Sequence, residues 1–195
     1  MPLVTRRTVS LTLAALAFAP RAGAHASTVP LVDLPGPGGA LGLNGFDLFT
    51  GQAVAQRFTV PADGDYHLAR VGLWLMNNSD TQHRLLRVEV QRDALDTGGA
   101  DSMPSGRPVE GWTAPIETLG WDPVEQFFTT TRHPRLKAGR NYWVVAGSRA
   151  PGGLDPVWTF ARHGSEIGSQ NEGSGWYPGV AQGALTLRVD AFAPA

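Results

Sequence analysis

Between Leu86 and Gln91 every second residue is apolar: Leu86, Val88 and Val90 alternate with Arg87, Glu89 and Gln91. Successive side chains of a β-strand point to opposite faces, so this segment has one face for a core and one for water. The same period recurs along the chain between clusters of Gly, Pro, Asn and Asp. Val54, Phe58 and Val60 share a face before the turn Pro61-Ala62-Asp63-Gly64. Val71, Leu73 and Leu75 share one before Asn77-Asn78-Ser79-Asp80. Further strands are expected over 124–131, 141–148 and 157–161, and the last places Leu185, Leu187 and Val189 inside with Thr186, Arg188 and Asp190 outside. No segment keeps the 3.6-residue period of an amphipathic helix. Seven strands follow, eight with 46–49. Without βαβ alternation they indicate an all-β, antiparallel β-sandwich of jelly-roll or immunoglobulin-like type.

The strands begin only after a different kind of segment. Arg6 and Arg7 precede an apolar run, Val9 to Ala19, that is too short to span a bilayer. Small residues follow, with two cleavage sites, Ala22-Gly23-Ala24 and Ala24-His25-Ala26. Residues 1–26 therefore read as a signal peptide. Its Thr5-Arg6-Arg7-Thr8-Val9-Ser10-Leu11 resembles a twin-arginine signal, and the general secretory route stays open beside it. Residues 27–44, with Pro35-Gly36-Pro37-Gly38-Gly39, read as a Gly/Pro-rich lead-in, and 45–195 as the sandwich domain. A long polar connection is expected from Asp93 to Asp122. The expected location is periplasmic or extracellular, with no transmembrane segment and no anchor in the mature chain.

Charge and cysteine content narrow the function. Removing Arg6, Arg7 and Arg21 from the 16 basic residues leaves 13, against 17 acids. A mildly acidic domain lacks the electrostatic footprint of a nucleic-acid binder. There are no cysteines, so disulfides, thiol nucleophiles and zinc-thiolate sites are excluded.

Candidate sites remain few. The five histidines, His25, His67, His83, His133 and His163, show no metal-binding spacing and read first as surface or loop residues. Cleavage after Ala24 would make His25 the first residue, whose amine and imidazole can chelate Cu²⁺. Cleavage after Ala26 would remove it. Asp93, Asp96 and Asp101 gather in the long connection, where loop carboxylates can bind Ca²⁺, but the alternation of an EF-hand is missing. No cofactor is expected. No nucleophile elbow is present, and Glu117, Asp122, Glu125 and Glu166 carry no catalytic pattern. Trp112, Trp121, Trp176 and Tyr177 fall in loops and are the candidate ligand-binding residues. Trp74, Trp143 and Trp158 fall in strands and are expected to pack.

Three passages together carry a resemblance: Ala55-Gln56-Arg57-Phe58-Thr59-Val60-Pro61, Val71-Gly72-Leu73-Trp74-Leu75, and Leu136-Lys137-Ala138-Gly139-Arg140-Asn141-Tyr142-Trp143-Val144-Val145. In this order they resemble the choice-of-anchor β-sandwich domains of exported bacterial proteins, a PEP-CTERM and sortase-associated group. The resemblance spans about Gly45 to Phe192. It implies a β-sandwich and no established enzymatic activity, so no catalytic residues carry over. Members usually end in an anchoring tail, and none is expected here. The expected function is non-enzymatic: a binding or cell-envelope structural role, with extracellular polysaccharide or another envelope component as partner. The alternatives are a secreted hydrolase with a loop-built site and a copper protein with an N-terminal His.

Overall fold

The computed structural model describes residues 27–36, 45–49, 51–77, 85–95, 102–115, 119–148, 156–162, 168–171, 173, 175–178 and 184–194. They form two antiparallel sheets packed face to face. One sheet holds β1 (Thr28–Leu34), β13 (Leu187–Phe192), β4 (Tyr66–Asn77), β10 (Pro156–Thr159) and β2 (Gly45–Asp47) in that order. Along its free side, β4 also pairs with β7 (Val124–Thr129) and β8 (Arg135–Leu136). The second sheet runs β12 (Trp176–Pro178), β11 (Gly168–Asn171), β3 (Ala53–Thr59), β9 (Asn141–Ser148), β5 (Leu85–Asp93) and β6 (Pro104–Pro115). Among the described residues there is no helix, and so none long and apolar enough to cross a membrane.

The alternating residues meet between the sheets. Val54 and Phe58 from β3, Leu86, Val88 and Val90 from β5, and Val144 and Ala146 from β9 pack against Val71, Leu73 and Leu75 of β4 and Leu187 and Val189 of β13. Trp158 is fully buried in this core, and its Nε1–H donates to the Thr186 carbonyl oxygen at 2.6 Å. Burying a side chain of this size contributes about 2–3 kcal/mol. At Ala138-Gly139 the chain turns from β8 into β9, with Gly139 at φ +67°. Asp65 ties this turn down, because its Oδ1 accepts from the Ala138 amide at 2.7 Å and its Oδ2 from Arg135.

Three segments differ from the sequence expectation. The lead-in starts as a strand, β1, paired with β13 and bulged between Pro30 and Val32. Its proline is compatible with pairing because β1 is an edge, where a missing N–H need not interrupt a ladder. The long connection is mostly β6, a 12-residue strand paired with β5. Pro104, Gly106, Pro108, Gly111 and Pro115 read as turn signals, yet they sit in an edge strand with two register shifts. Finally, Thr186 and Asp190, expected outside, are 0% and 1% exposed. Asp190 is enclosed by Arg70 and Arg188, and Thr186 by the Trp74 amide and the Thr159 carbonyl oxygen.

Candidate functional site

β5 projects Arg87, Glu89, Gln91 and Asp93 onto the outer face of the six-stranded sheet, opposite to its core residues. Strand register builds a grid around them. Ala53 stands opposite Gly147, Gly147 opposite Arg87, and Arg87 opposite Thr113. In the next row Ala55, Val145, Glu89 and Gly111 stand side by side. The floor is low where these residues are small. Trp143 fills the row beyond, wholly buried in a second apolar cluster with Ala55 and Val145, against which Ala53 and the indole of Trp176 pack.

The polar residues of β5 are fixed in place. Glu89 is ion-paired with Arg87 through one carboxylate oxygen and accepts from Gln91 Nε2 at 2.7 Å through the other. Gln91 Oε1 accepts from the Gly106 amide at 2.8 Å, which anchors this rail to β6. Asp93 Oδ2 accepts from the Trp143 indole N–H at 3.0 Å and from the Ser102 hydroxyl, and Oδ1 accepts from the Leu95 amide at 2.9 Å.

Two cavities open on this face. A groove of about 260 Å³ has Ala53, Val145 and Gly147 as floor, Trp176 along one side and the Arg87–Glu89–Gln91 rail along the other. A larger, open cavity of about 650 Å³ shares Arg87 and Glu89 with it and continues over β6 to Trp112, Pro108, Glu110 and Arg132. Burial would raise the Glu110 carboxyl pKa. Hydrogen bonds from Arg132, Thr130 and the Gly111 amide outweigh that and hold it below the ordinary glutamate value.

The aromatic candidates separate by position. Trp176 walls the groove. Trp112 lies on β6 rather than in a loop, is half-buried and tilts against Phe128 at 6.0 Å, and its indole N–H donates to the Thr129 carbonyl oxygen at 2.9 Å. It bridges the sheets and offers the cavity only a flank. Trp121 is 63% exposed ahead of β7, on the other sheet. Tyr177 is on β12, and its side chain lies outside the described residues. Of the metal candidates, Asp93 ends β5 and is 5% exposed, bound as described above, rather than free in a loop. His25, Asp96 and Asp101 lie outside the described residues, as do the signal residues Arg6, Arg7, Ala22, Ala24 and Ala26. Among the described residues no three His, Cys, Asp or Glu side chains gather as a metal site. His67 and His133 each donate Nδ1–H to a backbone carbonyl, of His133 and Leu68 respectively.

A second polar cluster lies on the outer face of the other sheet. Asp190 accepts from Arg70 Nε at 2.6 Å and from Arg188 Nε at 3.1 Å, while the Arg70 guanidinium sits 4.2 Å from the Phe127 ring centroid. Burial raises the pKa of neighbouring Glu125, and Asp33 and Asp190 add to that, against Arg188 and Arg70. With Arg188 also 3.8 Å from the Asp33 carboxylate, these contacts tie β1, β4, β7 and β13 together.

In the sequence Arg87, Glu89 and Gln91 mark only the wetted side of a strand. Their alternation carried the signal, because charges in the middle of a sheet stand in a row. Nothing in the sequence marks Ala53, Val145 and Gly147 as a floor. The chain matches no family model and no curated protein.

Proposed function

We propose that the chain is an exported, non-enzymatic binding module that holds a carbohydrate on the outer face of its six-stranded sheet. One observation carries this reading: Trp176 and the Arg87–Glu89–Gln91 rail face each other across a groove with a small-residue floor. Sugars have two kinds of surface. Their axial C–H face is apolar and stacks on a flat indole, while their rim of hydroxyls needs donors and acceptors held in fixed positions. The groove supplies both. The rail is fixed before any ligand arrives, so little side-chain entropy is lost on binding. The export signal and the choice-of-anchor resemblance support the same setting, since envelope and extracellular polysaccharides lie where such a module would be delivered.

The test is a glycan and cell-wall panel with the wild type and Trp176→Ala. Trp176 is half-buried at the rim, so its truncation should leave the main core intact and abolish binding. Trp112→Ala, by contrast, should lower thermal stability, because it removes an inter-sheet contact. Failure of the wild type to bind any glycan or wall fraction refutes the proposal, as does unchanged binding by Trp176→Ala.

A further inference from the structure

A third cavity, of about 440 Å³, opens next to the second, and Pro108 is a wall of both. Arg92, Arg107 and Arg135 line it with Val109 and Pro134, and among the described residues no acid does. Arg92 comes from β5, Arg107 from β6 and Arg135 from β8, so strands of both sheets bring the three together. All three are exposed. Arg135 pairs with Asp65; no side-chain partner is seen for Arg92 or Arg107 among the described residues.

The three cavities form one track. Arg87 and Glu89 belong to the first and second, and Pro108 to the second and third. The path leads from Trp176 across β9 and β5, over the edge at β6, to the arginines at the end of the sandwich. Among the described residues five arginines line it against two glutamates, in a chain whose formal charge is −1. Both glutamates are compensated: Glu89 by Arg87 and Gln91, and Glu110 by Arg132 and Thr130. The track is therefore positive where it is unpaired. Guanidinium forks match planar and tetrahedral oxyanions through paired N–H donors.

We infer that the ligand is an acidic polysaccharide, whose carboxylate or sulfate groups seat between Arg92, Arg107 and Arg135 while a sugar ring lies on Trp176. This rests on the reading of the Trp176 groove as a sugar-binding surface. A polymer suits the observation better than a small anion, because the arginine cavity continues into the groove instead of closing on itself.

The experiment is affinity electrophoresis and calorimetry of the full processed chain with polygalacturonate, dextran sulfate, neutral dextran and inorganic sulfate. At least one acidic polymer should bind well above neutral dextran, and binding should weaken as salt rises. Arg92→Gln with Arg107→Gln should weaken it at least about tenfold, with an unchanged melting temperature because both side chains are exposed. Polygalacturonate over dextran sulfate identifies a uronate, and the reverse a sulfate ester. Equal or better binding of neutral dextran overturns the acidic assignment and leaves the carbohydrate reading standing. No binding to any of the three polymers overturns the acidic assignment, and the glycan and cell-wall panel then decides the carbohydrate reading separately. Inorganic sulfate binding as tightly as a polymer overturns the polysaccharide assignment. Arg162→Gln, an exposed arginine outside the track, should have no effect. A loss there equal to that of the double variant would mean general charge attraction and sink the inference.

Discussion

Glu110 joins the edges of the two sheets, and its removal has a calculable cost. Its side chain is 7% exposed. One oxygen accepts from the Thr130 hydroxyl, and the other from Arg132 Nη2 at 2.5 Å and the Gly111 amide at 3.0 Å. Thr130 Oγ1 in turn accepts from the amides of Arg132 and His133 at 3.1 and 3.3 Å, so the carboxylate holds the turn after β7. Glu110→Ala strips buried donors of a charged acceptor, which costs about 2–3 kcal/mol. With a urea m-value of about 2 kcal/mol/M, the unfolding midpoint should fall by about 1–1.5 M. The Arg132 side chain is 67% exposed, so water and salt screen its share. Arg132→Ala should therefore move the midpoint by less than about a third as much. The pH dependence has a definite sign. The folded carboxyl titrates below its ordinary value, so its contribution is complete above the unfolded pKa of about 4.3 and is lost as pH falls through the folded value. The gap between wild type and Glu110→Gln should narrow from pH 5 to pH 3. A constant gap, or an Arg132→Ala loss equal to that of Glu110→Ala, would refute this account of the junction.

Two further outcomes probe the frame. Gly139 has φ +67° and room for a methyl group, since the nearest atom to an added Cβ is Ala62 Cβ at 3.9 Å. Gly139→Ala should cost about 1–2 kcal/mol by backbone strain alone, and Gly139→Asn less, in denaturant titrations; equal costs would contradict that cause. Asp93→Ala leaves the wholly buried Trp143 N–H without its acceptor and should cost about 1–3 kcal/mol. In Trp143→Phe, where that donor is already gone, the same change should cost less, and strict additivity in the double variant would argue against the coupling.

The inner faces were legible in the sequence because period two is a direct image of the pleat. Val54 with Phe58, Val71 with Leu73 and Leu75, and Leu86 with Val88 and Val90 all lie in the inter-sheet core. Edge strands were not legible. β1 and β6 contain the residues that usually end strands, and only tertiary pairing with β13 and β5 explains them. The site was legible in part. Trp176 stood out as an aromatic among glycines, but the residues facing it come from β5 and β9, more than 25 positions away in the chain. Register brings them together, and no local pattern encodes register between distant strands. Trp112 was misplaced for the same reason: it follows Gly111, yet it stands opposite Val88 in a ladder.

The prolines of β6 also bear on how the molecule behaves at high concentration. A free sheet edge invites a second chain to add a strand. Pro104, Pro108 and Pro115 deny an incoming backbone three donors along 12 residues, and the register shifts twist the edge away from a flat template. The same device recurs at other free edges: Pro30 in β1, and Pro178 in the three-residue β12. Among the described edges β7 is the longest without proline, six residues with Val124 and Phe127 exposed. Self-association of this protein, if it is driven by strand addition, would begin most readily at that edge.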